Sequence, residues 1–462
     1  MEAAEWYRLR NDRTNRIDDI LLDSNAKVIS VIVRKYSTLS DQAMAICTAN
    51  ILSRWCRRVS FYISEDIPCL FNNWKGMKLH EVIMEIMNSS DPYGEFSIKS
   101  KNDIVETDLS ISIGSTTKDN EFWINSEGWV AGFGFGPTQN EIGTKSDDIN
   151  IIGAIYASSV INAAAFSSYI YESKPEPFDR WISLLDFETS SQHQELKNPI
   201  VNNALNIGKI WQIGAGAVGS SFDFILSLFP VSGSIEIIDF DKVEIPNTSS
   251  SLIFTAKHAK TKTSKVEACN EALRFNNNLL VQLNPDMDYS QFMREIDLEA
   301  KYPDLILCFA NEKNIWSTIQ HNEPPIVLHA TTSNNWGVNF GRHIPFEEWC
   351  IVCRFGIKDY EHIPVCSTSS EVGKDKQEEK LGILPFLSPI AAVLVFSEVL
   401  KLSMRETLDS PMDKNFIQLS MKNVDSSSPH SFFRKPKVNC SICSEQNESS
   451  YYTGYKKSKY YL

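Results

Sequence analysis

Hydrophobic runs recur in the same order twice along the chain. In the first copy a β-branched run at residues 28–33 precedes a helix-length segment at 41–55 and a second apolar run at 59–63. In the second copy, runs at 210–213 and 235–238 flank a helix-like segment at 220–228. Short continuous apolar runs bounded by polar turns predict strands covered on both faces, the pattern of a parallel sheet with crossover helices. Further along, residues 108–113 (Asp-Leu-Ser-Ile-Ser-Ile) match 304–308, and a long apolar helix predicted at 151–166 matches one at 383–400. The chain after the second strand agrees as well, with Glu65-Asp66-Ile67-Pro68 against Val243-Glu244-Ile245-Pro246. The pattern predicts a duplicated α/β unit. The first copy, 1–170, opens with a mixed-charge helix carrying Arg8, Arg10, Arg13 and Arg16, and includes a glycine-rich strand pair at 128–136. A polar linker at 171–206 carries a short helix around 181–187, the second copy covers 207–445, and 446–462 is a tail rich in Tyr and Lys.

The copies differ at the turn after their first strand. The first reads Arg34-Lys35-Tyr36-Ser37-Thr38, without glycine, and is not expected to cradle a phosphate. The second reads Gly214-Ala-Gly216-Ala-Val-Gly219 between a strand and a helix, and its second strand ends on Asp239 about 20 residues further on. Glycines let backbone N–H groups approach phosphate oxygens, the helix N-terminus adds a favourable dipole, and the acid can hold ribose hydroxyls. One nucleotide per chain is therefore expected, in the second copy. Lys265, at the start of a helix in Thr-Ser-Lys-Val-Glu-Ala, could reach a phosphate or be an ordinary surface lysine.

Composition narrows the function. Among 462 residues, 45 basic and 58 acidic side chains leave a net charge of −13, which disfavours coating a nucleic acid, because phosphate binding needs clustered Lys and Arg. The N-terminus has no apolar signal core, so a cytoplasmic protein is expected. The two long apolar runs fall short of a membrane span, and Pro385, Ser388, Pro389 and Glu398 interrupt the second, so both are expected as buried core helices. Ten cysteines in such a chain point to thiol chemistry or metal before disulfides. Cys350-Ile-Val-Cys353 and Cys440-Ser-Ile-Cys443 are two Cys-x-x-Cys knuckles that together offer the four thiolates of a tetrahedral zinc site, with paired disulfides as the alternative. Zinc would staple the C-terminal segment to the domain, and a closed four-thiolate shell has no position for catalysis. Cys366, in Ile-Pro-Val-Cys-Ser-Thr-Ser before a charged run, is a candidate nucleophile or an ordinary thiol. Cys47, Cys56, Cys69, Cys269 and Cys308 sit within apolar patterns and are expected in the core.

Taken in order, Gly-x-Gly-x-x-Gly, Asp-Phe-Asp-x-Val-Glu-x-x-Asn, a Lys before Val-Glu-Ala, Cys-x-x-Cys, Pro-x-Cys-Ser and Cys-x-x-Cys cover residues 205–445. This set resembles the ubiquitin-activating enzymes and their bacterial relatives in molybdopterin and thiamine biosynthesis, the ThiF/MoeB superfamily of adenylyltransferases. The resemblance implies two Rossmann-like adenylation domains in tandem, the first degenerate and the second active, a pseudo-dimer within one chain. The arrangement is similar to the activating component of bacterial ubiquitin-like conjugation systems linked to phage defence. It implies use of MgATP to adenylate the C-terminal glycine of a ubiquitin-like protein, then a thioester on Cys366 and hand-over to a conjugating enzyme. Gly214, Gly216 and Gly219 would form the nucleotide loop, Asp239 would hold ribose, and Asp241, Asn247 and Lys265 would line the phosphates. Arg10-Asn-Asp-Arg13 resembles the family's N-terminal arginine motif, with Arg13 expected to reach the nucleotide held by the other half. Two positions depart from the family pattern. Ser250 stands where a phosphate-binding arginine is common, and Asn311, with Glu312 beside it, stands where an aspartate contacts magnesium and ATP. Adenylation for sulfur transfer or peptide modification without a thioester, and a catalytically silent scaffold, are the alternatives these departures leave. A nicotinamide oxidoreductase would leave the thiol knuckles unexplained.

Overall fold

The computed structural model describes residues 1–17, 27–100, 103–105, 107–138, 142, 148–296, 302–310, 313–322, 324–355, 382–408, 412–425, 428–440, 442–443 and 455–461. The first half runs α1 (Ala3–Arg10), β1 (Val28–Val33), α2 (Leu39–Leu52), β2 (Arg58–Tyr62), α3 (Leu79–Ser90), β3 (Glu95–Lys99), β4 (Leu109–Ile113), β5 (Phe122–Glu127), β6 (Val130–Phe135), α4 (Ile152–Tyr171), β7 (Phe178–Ser183) and β8 (Thr189–Ser190). The second runs β9 (Leu205–Ile213), α5 (Ala217–Ser227), β10 (Val231–Asp239), a 3-10 turn (Ile245–Ser249), α6 (Ala256–Thr261), α7 (Lys265–Leu273), β11 (Leu279–Pro285), α8 (Tyr289–Glu295) and β12 (Leu305–Cys308). It continues through α9 (Lys313–His321), β13 (Ile326–Thr332), β14 (Gly337–His343), α10 (Ile351–Phe355), α11 (Leu387–Ser403), β15 (Phe416–Ser420) and β16 (His430–Phe432).

Two eight-stranded mixed sheets result, with orders β3-β2-β1-β4-β5-β6-β7-β8 and β11-β10-β9-β12-β13-β14-β15-β16. Each sheet has five parallel strands followed by three antiparallel ones, so the two halves share one topology. This is the Rossmann-like α/β arrangement that the repeated hydrophobic order predicts. Two local expectations are corrected. Residues 181–187 are not a helix: Trp181 and Ile182 belong to β7, which pairs antiparallel with β6. Residues 128–136 hold one strand, β6, whose hairpin partner β5 precedes it. Both errors trace to aromatic packing on glycine. A Cβ on Gly132 would stand 2.3 Å from the Trp181 ring, and one on Gly134 2.3 Å from the Phe178 carbonyl and 2.6 Å from Trp123, so the glycines make room for indoles and a neighbouring strand that short-range periodicity cannot see.

The apolar helices α4 and α11 are buried nearly all round, the pattern of helices inside a core. They occupy equivalent places, each between the sixth and seventh strands of its half, and they pack against one another. Phe166 of α4 meets Trp336 and Phe386 edge-on at centroid distances of 5.6 and 5.5 Å, so one continuous core spans both sheets. Polar groups inside α4 find partners within the helix and across the core. Ser158 Oγ donates to the Ala154 carbonyl, and Trp55 Nε1 donates to Asn162 Oδ1. No helix among the described residues is long and apolar enough to cross a membrane. Because the halves share this core, Phe166→Ala is expected to cost about 3–5 kcal/mol. Denaturant unfolding followed by circular dichroism should show one cooperative transition at a lower midpoint.

Candidate nucleotide site and metal centre

The glycine loop leaves β9 and enters α5. Gly214 has φ +96°, open to glycine and strained for other residues, and a Cβ there would sit 3.0 Å from the Ala310 backbone nitrogen. A Cβ on Gly219 would stand 2.2 Å from the Gly214 carbonyl, so the first helical turn closes on the loop only because that side chain is hydrogen. Gly216 is different, because a Cβ there would meet nothing within 4 Å. Its bareness leaves open space at the helix start. Gly216 is also the N-cap of α5 and offers no side chain to the first-turn N–H groups. An uncapped helix N-terminus beside open space is suited to a phosphate.

The equivalent turn of the first half is filled. Thr38 and Asp41 form a capping box on α2, and Asp41 Oδ2 accepts from the Ser37 and Thr38 N–H groups at 3.0 and 3.1 Å. Arg34 is drawn aside to Ser112 Oγ at 2.8 Å and Glu121 at 3.1 Å. Side chains of the chain itself therefore already take up N–H groups at this helix start. The expectation that this turn holds no nucleotide therefore gains a mechanism beyond its lack of glycine.

At the end of β10 the structure gathers Asp239, Asp241 and Lys265. Asp239 Oδ2 accepts from Ala215 N–H at 2.7 Å, tying the acid to the glycine loop, and its Oδ1 accepts from Asp241 N–H at 2.8 Å. Each carboxylate oxygen keeps a second lone pair for a ligand hydroxyl. Lys265, on the first residue of α7, lies 2.5 Å from Asp241 and 3.9 Å from Asp239. It is therefore not a surface lysine: its side chain is 9 % exposed, whereas that of Asp241 is 40 % exposed and faces the open side. Burial raises the Asp239 pKa, opposed by Lys265 and reinforced by Asp241. Burial works against the Lys265 charge, but Asp239 and Asp241 outweigh it and hold the ammonium above its usual pKa. The positive charge of Arg13 acts on Lys265 in the opposite direction, which places this first-half residue within electrostatic reach of the site.

The N-terminal segment is tied to the main chain at Ile383. The Arg13 carbonyl accepts from Ile383 N–H at 3.3 Å, and Thr14 Oγ1 donates to the Ile383 carbonyl at 3.2 Å. Arg10 serves another purpose, as it forms a wholly buried ion pair with Asp91 at 2.7 Å. Asn247 Oδ1 accepts from Glu244 N–H at 2.8 Å and so shapes the turn. Ser250, at the position of the missing arginine, is buried. Asn311, Glu312 and Cys366 lie outside the described residues.

The two thiol knuckles meet. Cys350, Cys353, Cys440 and Cys443 place their sulfurs within 4.8 Å of one another, with 3.7 Å from Cys350 to Cys440 and 3.4 Å from Cys353 to Cys443. A tetrahedron with Zn–S bonds of about 2.3 Å has edges of roughly 3.8 Å, so the donor set and spacing fit a zinc ion. The remaining described cysteines, Cys47, Cys56, Cys269 and Cys308, are buried, Cys269 against the Asp223 carboxylate, and Cys69 is half-buried. Next to the knuckles, Arg342 donates to Glu348 and Glu398 inside the core, pinning β14 to α11.

The profile of the ThiF family matches residues 201–442, slightly more than half of the chain. The chain belongs to the ThiF family. ThiF-family members are ATP-dependent adenylyltransferases, and the loop, acids and lysine above all lie within the matched region. Among solved structures, the chain is similar to the microcin C7 biosynthetic enzyme MccB in complex with N-formylated MccA, at 16 % identity and a TM-score of 0.39, over 72 % of this chain and 99 % of that one. Escherichia coli MccB with ATP gives the same identity, TM-score and coverage. PaaA follows at 16 % identity and a TM-score of 0.35, over 49 % of this chain and 64 % of that one. No curated protein sequence matches the chain.

Sequence reasoning missed what the first half contributes at the interface. Arg54 is buried against the second half's 248–254 loop, yet in the sequence it follows an apolar helix, where a solvent-facing cation is the ordinary expectation.

Proposed function

We propose that this chain uses MgATP to adenylate the C-terminal carboxylate of a small protein or peptide ending in glycine, with a ubiquitin-like protein as the preferred substrate. The observation that carries the proposal is the contrast between the two helix starts: the α5 N-terminus is bare and open, and the α2 N-terminus is closed by the Thr38–Asp41 capping box. Bound nucleotide supplies the activated α-phosphorus, which a glycine carboxylate oxygen attacks as the α–β bridging P–O bond breaks and pyrophosphate leaves. The loop N–H groups orient the phosphates, Asp239 accepts ribose hydroxyls, and Lys265 and Arg13 oppose the charge that develops on pyrophosphate. Asp241 and Asn247 line the phosphate side with them, and Asn311, standing where the family has a magnesium-contacting aspartate, is assigned to the same side. The first half would then be the degenerate partner that lends Arg13, and 207–445 the active domain.

Cys366 is proposed as the thioester acceptor. Its thiolate would attack the acyl carbon of the adenylate and expel AMP before transfer to a conjugating enzyme. Exchange of labelled pyrophosphate into ATP, dependent on a glycine-ending partner, is the expected result, with a reductant-sensitive adduct in the wild type that is absent in Cys366→Ala. Partner-dependent exchange without any adduct would retain adenylation and remove the thioester step. Absence of exchange with every glycine-ending partner tried, alongside no MgATP binding, would leave a silent scaffold.

A further inference from the structure

We propose that Arg54, on the first half, is a positioning residue for the phosphate loop of the second half, acting through a hydrogen-bonded relay that ends on Gly216; this rests on the nucleotide site proposed above. Arg54 is 1 % exposed and, among the described residues, forms no ion pair with a carboxylate. Its Nη1 donates instead to the Thr248 and Phe254 carbonyls at 2.6 and 3.0 Å, while Nε and Nη2 donate to Asn50 Oδ1 at 2.9 and 2.7 Å. Asn50 in turn donates through Nδ2 to the Leu252 carbonyl at 3.0 Å. Three carbonyls of the 248–254 loop are thus held by two side chains from the other half. Burial, and then the neighbouring Arg10 charge, lower the Arg54 pKa to about 9, so it remains a cation at neutral pH. A buried cation balanced only by dipoles is costly, and an apolar side chain would fill the interface at less expense.

What the loop does with that constraint is visible at Ser251. Its Oγ accepts from the Ile253 and Phe254 N–H groups at 3.2 and 3.1 Å and lies 2.7 Å from Ser220 Oγ. Ser220 lies on the first turn of α5 and donates to the Gly216 carbonyl at 2.6 Å. One proton assignment satisfies every contact, with Ser251 donating to Ser220 and Ser220 to Gly216. A peptide unit is planar, so fixing the Gly216 carbonyl also fixes the Ala217 N–H, which points the opposite way, out of the helix start. The Ser220 backbone N–H also donates to this carbonyl, at 2.9 Å, so the relay adds a second restraint, anchored across the interface, to the aim of that phosphate donor. It also gives the degenerate half a task inside the nucleotide site that is separate from Arg13.

The test is calorimetric titration of the full chain with MgATP and, in parallel, with adenosine, for wild type, Arg54→Met, Arg54→Lys, Ser251→Ala and the double variant Arg54→Met/Ser251→Ala. Misaimed phosphate donors should weaken MgATP binding about five- to tenfold in Arg54→Met and in Ser251→Ala, with adenosine affinity unchanged, because adenosine carries no phosphate. The double variant should be no weaker than the worse single one, since both break one relay. Arg54→Lys, which retains the cation and one donor, should recover part of the loss. Ser251→Ala leaves the Arg54 contacts intact and decides the matter if Arg54→Met does not fold. MgATP affinities equal to wild type, equal losses for ATP and adenosine, or additive losses in the double variant would overturn the relay while leaving the nucleotide site standing. A wild-type chain that binds no MgATP would remove the nucleotide site and the relay together.

Discussion

Lys265→Ala is expected to lower partner-dependent ATP–pyrophosphate exchange by about 10²–10³-fold, the usual loss when one fixed charge-stabilising donor is removed. The size of the effect follows from how the ammonium is held. It is nearly buried, 2.5 Å from Asp241 and within ion-pair distance of Asp239, so it cannot be replaced by water or by a flexible surface cation. Its removal also leaves two acids facing one another beside incoming phosphates. The sign of the pH effect can be derived. Burial raises the Asp239 pKa and Lys265 is the first force pulling it back down, so losing Lys265 raises it further. In its proposed role as acceptor of the ribose hydroxyls Asp239 must be ionised, and the acid limb of the residual exchange activity should therefore move to higher pH in the variant. Exchange kinetics across the pH range check both parts. A loss in exchange with no movement of the acid limb would mean that Lys265 meets the phosphates without tuning Asp239. Arginine is not expected to rescue, because its planar fork does not fit a pocket closed around a single ammonium.

How much of this was legible in the residues depends on the range over which each signal acts. The glycine loop and Asp239 lie within one strand-helix-strand passage, where spacing alone constrains geometry, and the structure brings Lys265, at the start of α7, beside Asp239. The duplication was legible because each strand kept its apolar run, and the matching strand orders follow from those runs and right-handed crossovers. The short helix expected at 181–187 failed because β7 is defined by pairing with β6 and by an indole lying over Gly132, contacts about 50 residues apart with no local trace. The buried polar contacts between the halves were invisible for the same reason. Arg10 and Arg13 stand three residues apart in one motif, yet Arg10 is consumed by Asp91 while the Arg13 charge reaches Lys265. Only the placement of α1 and the turn after it separates their roles. Ser250, where the family commonly has an arginine, is buried in a loop that faces the other half, where Asn50 and Arg54 hold its carbonyls.

Replacing Cys350 or Cys443 with serine is expected to release one zinc ion per chain and to destabilise the second half by about 4–5 kcal/mol or more, the order of the entropy lost on closing a loop of this length. The knuckles are 90 residues apart in sequence, so whatever joins them restrains the whole passage from α10 through α11 to β16. Sulfur separations of 3.4 and 3.7 Å exceed the roughly 2.05 Å of a disulfide and match the edges of a metal-centred tetrahedron. Four thiols this close also impose opposite demands on their protons. Sharing hydrogen bonds with its neighbours pulls Cys353 down to about 7 and pushes Cys350 well up, an imbalance that a divalent cation removes by taking all four as thiolates. Metal analysis of the purified chain should give one zinc per chain, and a chelator should lower the unfolding midpoint to that of the serine variants. Acid should have the same effect, because protonation of the thiolates competes with the ion. A chain whose stability is insensitive to chelator but falls with reductant would establish disulfides in place of the metal. Loss of the ion frees the segment around Cys440 and Cys443 from α10, and the Trp349 contacts with Phe416 and Phe432, at 5.9 and 6.4 Å, would loosen with it. Near-ultraviolet circular dichroism from Trp349 should therefore change with chelation before the far-ultraviolet helix signal does.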